Sequence, residues 1–391
     1  MNIAIVSLGS VSEDTGGRNY LVNFTKALAR LNNTLEEKHR IDFFLSPRQQ
    51  HILAPFLTKQ FRVVEVPPAS SSSAMKVVSE QLIAPFSLAQ SRADVVYFPG
   101  NFVSLFSPKP TVVAIRSMLY YHHPEAVDST RRTVRKLLTP PSAKRSRAII
   151  TPSQDIKNDV VNFVGIDERK IHVVNHGVDT EMFQKNYIES ERDAVFRKFG
   201  ITRKFIVYAS ALWGYKNQDK LILATEKLIR ERGLDIQVVI AGKGIGVQNA
   251  YESKLHRLVA EKKLNERVLF TGFVPHEELK YLYKYAEVFA YPSGYESFGN
   301  PLFEAWAAGV PVVCANVHSF PEMTENGKCA FMVNPLDIDA LTDALHKVIV
   351  DRHIRQSLID AGAARVASFS WDKAVRETLA VLQSVIEKPN Y

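Results

Sequence analysis

The sequence predicts an α/β protein made of two parallel-sheet domains, and three observations carry that prediction. Short, nearly continuous apolar runs alternate with amphipathic or polar segments; the alternation comes in two blocks of similar length; and a polar interval lacking helix or strand period separates them. A short apolar run bounded by polar stretches is what a strand buried on both faces requires, and strands alternating with helices assemble parallel sheets. A chain of 391 residues, at roughly 150 per domain, accommodates two or three such units.

In the first block, Asn2–Ser7 reads as a strand, followed by a polar loop and an amphipathic helix from near Gly17 with Tyr20, Leu21, Phe24 and Leu28 on one stripe. Further strand-like runs follow at Ile41–Leu45, Phe61–Val66, Val95–Phe98, Val112–Ile115, Ala148–Thr151 and Ile171–Val174. The second block repeats the rhythm at Phe205–Ala209, Ile236–Ala241, Val268–Thr271, Val288–Tyr291, Val310–Ala315 and Phe331–Val333. Between them, the polar stretch GVDTEMFQKNYIESERD places a linker near 180–190. The expected domains are therefore 1–185 and 186–370. Trp371–Ile386, with Ala374, Leu379, Leu382 and Val385 spaced for burial, reads as a closing amphipathic helix.

Composition narrows the function classes. With 46% hydrophobic and 23% charged residues the chain has the makings of a folded core. Its longest apolar stretches, such as Val310–Ala315, fall far short of the roughly 20 residues a membrane span needs. The amino terminus has neither the basic nor the apolar region of a signal peptide, and two cysteines form no disulfide framework, so a cytoplasmic location is expected. A net charge of +8 favours anionic partners. Seven basic residues between Arg131 and Arg147 read equally as a solvated helix face or as a patch for an anionic membrane surface, which would make the protein peripheral on the inner face of the membrane. They lack the interleaved aromatics of a nucleic-acid platform, so no nucleic-acid partner is expected.

The most informative segment is YPSGYESFGNPLFEAWAAGVPVV, residues 291–313. A strand ends at Tyr291, a Gly/Ser loop follows, Pro301 opens a helix, and Gly309 closes it. The amides of Phe298, Gly299 and Asn300 then face the carboxy edge of a parallel sheet, the usual place for a diphosphate. Glu296 and Glu304 flank this loop–helix junction; Glu304 lies among Leu302, Phe303, Ala305 and Trp306, where a carboxylate needs donors such as the hydroxyls of a sugar. A second cluster, YASALWGYKNQDKL at 208–221, delivers the ammonium of Lys216 and the neighbouring Asn217 to the same edge. Gly16 and Gly17 stand where the first strand turns into the first helix.

These strings resemble retaining glycosyltransferases of family 4, which have the GT-B fold. VVIAGKG at 238–244, FTGFVPHEEL at 270–279, PLFEAWAAG and FSW at 369–371 fall where that family places comparable strings, closely in the second half and in outline in the first. The resemblance implies two Rossmann-like domains with a cleft between them: an acceptor domain, 1–185, onto which the carboxy-terminal segment 371–391 crosses back, and a nucleotide-sugar donor domain, 186–370. It implies that Glu304 binds the ribose, Glu296 the donor sugar, and the Phe298–Asn300 amides the diphosphate, with Lys216 and Glu296 as the catalytic pair. Gly16, Gly17, Ala211, Asn217, Gly242, Phe273, Val274 and Pro301 complete the donor side.

The chain departs from the family at two places. Ala211 replaces an arginine that many members carry, and Arg116-Ser117 stands where members often have His-Asp, leaving Arg116, His122 and His123 as acceptor-side candidates. The expected activity is transfer of a hexose from a nucleoside-diphosphate sugar to a hydroxyl of a polysaccharide or lipid-linked glycan, with retention. No cofactor and no metal is expected: Asp337 and Asp339 spell D-x-D, but the expected role of Asp339 is to cap the following helix. The rivals are a nucleotide-sugar epimerase or phosphorylase, and a non-catalytic nucleotide-sugar-binding protein.

Overall fold

Among the described residues thirteen strands, all paired in parallel, form two sheets. The structure, a computed structural model, describes residues 1–8, 16–34, 38–67, 77–184, 187–244 and 249–387. The chain divides into two units, 1–177 with 369–391, and 178–368.

The first unit holds β1 (Asn2–Ser7), β2 (Arg40–Leu45), β3 (Phe61–Glu65), β4 (Val95–Phe98), β5 (Thr111–Ala114), β6 (Ala148–Thr151) and β7 (Ile171–Val173), in the order β3-β2-β1-β4-β5-β6-β7. The strand order reverses between β1 and β4, creating a switch point at their carboxy ends. The helix Gly16–Thr34 covers one face through Tyr20, Leu21, Phe24 and Leu28, all buried. The helix Trp371–Glu387 packs beside it, burying Val375, Leu379 and Leu382 in the same core. Arg30 pairs with Asp372 across these two helices. Burial of one apolar stripe explains why the closing helix joins this unit despite its distance in the chain.

The second unit holds β8 (Lys204–Ala209), β9 (Ile236–Ala241), β10 (Val268–Gly272), β11 (Val288–Tyr291), β12 (Val312–Ala315) and β13 (Phe331–Val333), in the order β10-β9-β8-β11-β12-β13. Its order reverses between β8 and β11. The two expected strand sets are all present, with ends shifted by a residue or two; β12 begins at Val312 because Pro311 cannot donate to the ladder.

The division between units falls at Gly177 and Val178 instead of at 185. The short helix Glu181–Gln184 belongs to the second unit because Phe183 is buried there, edge-to-face against Tyr283 with ring centroids 5.7 Å apart. Within the polar interval, residues 185 and 186 lie outside the described residues.

Two smaller expectations change. Asp337, not Asp339, caps the helix Ile338–Val350, its carboxylate accepting from the Ala340 amide at 2.9 Å. Asp339 is exposed and pairs with Lys227 at 2.5 Å. The basic stretch forms the helix Ser129–Arg145, and part of its charge serves the fold. Arg132, Arg145 and Arg147 donate to the carbonyl oxygens of Pro124, Ser107 and Val385. Among the described residues no helix is long and apolar enough to cross a membrane.

Candidate active site

Because every strand of the second sheet is parallel, the loops leaving β8, β9, β10 and β11 all emerge at one edge. The β8 exit loop brings Ala211, Lys216 and Asn217 there, and the β11 exit loop brings Glu296 and Phe298–Pro301. Lys216 and Glu296 are nearly buried, with side chains 9% and 14% exposed, and they form an ion pair. The Tyr291 hydroxyl also donates to Glu296, and the Lys216 Nζ lies 3.3 Å from that hydroxyl oxygen. Burial first, and the adjoining Glu296 carboxylate second, push the Tyr291 phenol well above its ordinary pKa, so it remains a donor at neutral pH.

Local backbone geometry locks these loops together. Asn217 adopts a left-handed conformation, φ 57°, and its side-chain amide donates to the Pro292 carbonyl at 2.8 Å. A non-glycine residue there is strained, and the hydrogen bond to the neighbouring loop offsets part of the cost. The Ser319 hydroxyl donates to the Glu296 carbonyl at 2.9 Å. Gly299, φ 85°, precedes the helix Asn300–Ala307, with Pro301 in its first turn. Phe298 is buried and stacks on Phe303 at 4.6 Å, which fixes the angle at which the chain enters the helix. The first-turn amides of such a helix have no carbonyl four residues back, and they point along the positive end of its dipole.

Glu304, on the second turn, is held by the Tyr283 hydroxyl at 3.0 Å and lies 3.9 Å from the His276 ring nitrogen. Its side chain is 16% exposed, and burial raises its carboxyl above the ordinary range, opposed by His276 and the Tyr283 hydrogen bond. His276 opens the helix His276–Lys284, which follows the β10 exit residues Phe273, half exposed, and Val274, buried. Gly242 follows β9, where a Cβ would sit 2.0 Å from the Ser210 carbonyl oxygen and 3.4 Å from the Cα of Ala211. Only glycine permits that approach, which brings Gly242 and Ala211 side by side. All the residues of the second unit expected on the donor side thus lie at one sheet edge. Tyr291, Tyr283, His276 and Ser319 were missed by the sequence reading; a tyrosine closing a strand and a tyrosine-rich helix both pass for core.

In the first unit, Gly17 and Arg116 line a cavity of about 270 Å³ at the carboxy ends of β1 and β4. Gly16 is exposed at the start of the first helix. His122 and His123 do not line that cavity: His122 binds Asp159 at 2.8 Å, which raises its pKa, and His123 binds Glu125 at 3.0 Å. Ser117 uses its carbonyl to accept from the Asn101 side chain at 3.0 Å. Among the described residues no group of three His, Cys, Asp or Glu side chains is placed to hold a metal ion.

Two Rossmann-like units, the second with a loop–helix junction and the carboxylates of Glu296 and Glu304 at its switch point, define an α/β architecture of the GT-B type. Comparison with known proteins makes the class specific. Residues 191–365 match the family described as glycosyl transferases group 1, and residues 15–182 match glycosyltransferase family 4. The chain belongs to this family of GT-B glycosyltransferases. It is 30% identical over 248 residues to an MMP α-(1→4)-mannosyltransferase of Mycolicibacterium hassiacum, a match covering 63% of this chain and 56% of that protein. It is 25% identical over 287 residues to the O-antigen chain mannosyltransferase B of Escherichia coli, 73% of each chain. Its fold resembles the crystal structure of Anabaena HepE in complex with UDP and glucose, with a TM-score of 0.76 at 18% identity over 98% of this chain and 100% of that one.

Proposed function

We propose that the protein transfers a hexose from a nucleoside-diphosphate sugar to a hydroxyl acceptor, with retention at the anomeric carbon and without a metal cofactor. The observation that carries this reading is the convergence of Lys216, Glu296, the helix start at Asn300 and Glu304 on the β8–β11 switch point. The family match, the two mannosyltransferase relatives and the UDP and glucose held by HepE support it.

In this reading Glu304 accepts hydrogen bonds from the ribose, and the first-turn amides hold the diphosphate. Phe273, Val274, Gly242 and Ala211 border the nucleotide. Lys216 has three N–H donors, of which Glu296 and Tyr291 take two, leaving one for a phosphate oxygen. As the bond from the anomeric carbon to the diphosphate breaks, its electron pair goes to the leaving oxygen, where the ammonium and helix dipole stabilise it. Glu296, fixed by Lys216 and Tyr291, is assigned to the sugar hydroxyls, not to covalent attack. The acceptor oxygen then bonds on the face the diphosphate leaves, and its proton passes to a leaving phosphate oxygen.

A thermal-shift panel with UDP, GDP, dTDP and ADP identifies the donor class, because a ligand at 100 times its Kd adds about 2.7 kcal/mol of stability. The matching nucleotide sugar should then release nucleoside diphosphate only when an acceptor is present. Donor binding without turnover on any acceptor would establish the non-catalytic alternative; no stabilisation by any nucleotide would overturn both. Unchanged turnover in EDTA is expected, and its loss would overturn the metal-independent step.

A further inference from the structure

The loop that leaves β12, residues 316–319, emerges at the same sheet edge, because β12 runs parallel to β11 beside it. This loop and the start of the helix that follows it, Phe320–Met323, meet the Glu296 loop residue by residue. The His318 ring stands 4.8 Å from that of Tyr295, the residue before Glu296. The Ser319 hydroxyl belongs to a fully buried residue and donates to the Glu296 main-chain carbonyl at 2.9 Å. The Phe320 ring lies edge-on to that of Tyr291, 5.5 Å away, and Tyr291 is the phenol that donates to the Glu296 carboxylate. Three consecutive residues thus bear on three groups around Glu296: the residue before it, its own carbonyl, and a donor to its carboxylate.

His318 makes its contact from a left-handed backbone, φ 54°, that glycine would adopt without strain. Such a conformation persists where the surroundings hold it. Here the Asn316 main-chain N–H donates to the Val333 carbonyl at 2.9 Å, and the Met323 N–H donates to the Ser319 carbonyl at 3.0 Å. Lys216 and Tyr291 hold only the carboxylate end of Glu296. A carboxylate also moves when its main chain moves, and a group misplaced by about 1 Å can cost a hundredfold in rate.

We propose that His318 and Ser319 are positioning residues for Glu296, fixing its main chain and thereby the place where its carboxylate meets the donor sugar, with no part in holding the nucleotide. The proposal rests on the glycosyl-transfer reading, in which Glu296 accepts from the sugar hydroxyls. In that reading the nucleotide is held elsewhere, by Glu304 and the first-turn amides of the helix Asn300–Ala307. Loss of the β12 loop contacts therefore separates the sugar from the nucleotide. Phe320 is not a clean probe, since a Cβ at Gly299, just before that helix, would sit 3.9 Å from its ring.

The test uses the intact protein with UDP and UDP-glucose, or with the GDP, dTDP or ADP equivalents that the thermal-shift panel selects. Ser319→Ala removes one neutral hydrogen bond and should lower kcat/KM by about two- to tenfold, while the nucleoside diphosphate binds as it does to wild type. His318→Gly removes the ring and should lose a similar amount. His318→Phe keeps a ring against Tyr295 and should recover it. The Ser319→Ala, Glu296→Gln double variant should fall no lower than Glu296→Gln alone, because the hydroxyl then has no carboxylate to position. This cycle is read both as kcat/KM and as affinity for the nucleotide sugar, so that it stands if Glu296→Gln stops turnover. Additive losses, unaltered kinetics in Ser319→Ala, or a His318→Phe variant no better than His318→Gly overturn the proposal. Equal losses of affinity for the nucleoside diphosphate and the nucleotide sugar also overturn it, since they would make the loop a general support. A wild-type protein that turns over no nucleotide sugar removes the transferase reading and this inference with it, whereas an active wild type with an unaffected Ser319→Ala removes this inference alone.

Discussion

Lys216 and Glu296, 80 residues apart in the chain, form an ion pair at the edge of the second sheet, with the Tyr291 hydroxyl donating to the same carboxylate. Removing one member leaves the other buried and uncompensated, which costs about 3–5 kcal/mol, whereas removing both costs less. Lys216→Met and Glu296→Gln should each lower the denaturation midpoint more than the double variant does. Denaturant unfolding of all three checks this; a double variant destabilised by the sum of the two would show that the pair contributes no coupling.

The same pair separates binding from turnover. In the proposed reaction Lys216 acts most strongly as charge builds on the leaving diphosphate, so Lys216→Ala should reduce kcat more than donor affinity. Steady-state kinetics beside equilibrium titration of the donor gives the split. A loss confined to affinity would move Lys216 out of the chemical step.

Glu304 tests the proposed nucleotide site. Hydrogen bonds to a charged group are worth about 1.5–3 kcal/mol, so Glu304→Ala should weaken nucleotide binding by roughly ten- to more than a hundredfold. Burial raises the Glu304 carboxyl, so the folded state holds its proton to higher pH than the unfolded chain. Its contribution to stability is therefore full below the ordinary carboxylate value of about 4.3 and is lost as pH rises through the raised value. Glu304→Gln should remove that fall, making the folded protein more stable than wild type at pH 7 while it binds nucleotide less well. Urea titrations from pH 4 to 8 check the slope, and a parallel slope in both proteins would show that Glu304 ionises freely.

The sheet edges were legible in the sequence because buried parallel strands leave continuous apolar runs, and Glu304 was legible because a carboxylate among Phe303, Ala305 and Trp306 breaks a helix pattern. What surrounds each carboxylate was not. Tyr283 and Tyr291 read as apolar positions, since periodicity registers the ring and not where the hydroxyl reaches. Arg116 stood out only as a departure from family habit; the hydrogen bond from its main-chain N–H to the Asn101 side chain is a contact between loops that no local pattern records. The unit boundary was misplaced for the same reason: Phe183 sits in polar sequence but packs on Tyr283.

His176 carries a pH prediction of opposite sign. Its ring stands 4.9 Å from that of Tyr20 and 6.0 Å from that of Trp371, and burial, with Arg116 second, pulls its pKa from 6.5 down to about 3. The unfolded chain therefore binds a proton that the folded state refuses. The stability this represents is full above the unfolded value of 6.5 and is lost as pH falls from there toward 3. His176→Phe should lose less stability on acidification, a difference on the order of 4 kcal/mol between pH 7 and pH 3 at most. Identical acid-unfolding profiles would show that His176 titrates normally.

Gly362, on the helix Arg352–Val366, faces Trp306, two residues beyond Glu304. A Cβ at 362 would lie 2.3 Å from Trp306 Cδ1, closer than any packing allows. Trp306 cannot swing aside, because it is 1% exposed and its indole N–H donates to the Cys329 carbonyl at 3.0 Å. Gly362→Ala must therefore push the two helices apart, at a cost of about 1–3 kcal/mol. In an unhindered helix the same change would stabilise by about 0.5–1 kcal/mol, so the sign of the effect is diagnostic. The melting temperature should fall, and nucleotide affinity should fall with it, because displacing the helix Asn300–Ala307 shifts Glu304 from the Tyr283 hydroxyl and turns the first-turn amides. A rise in melting temperature with unaltered nucleotide binding would mean that this helix contact does not set the geometry of the proposed donor site.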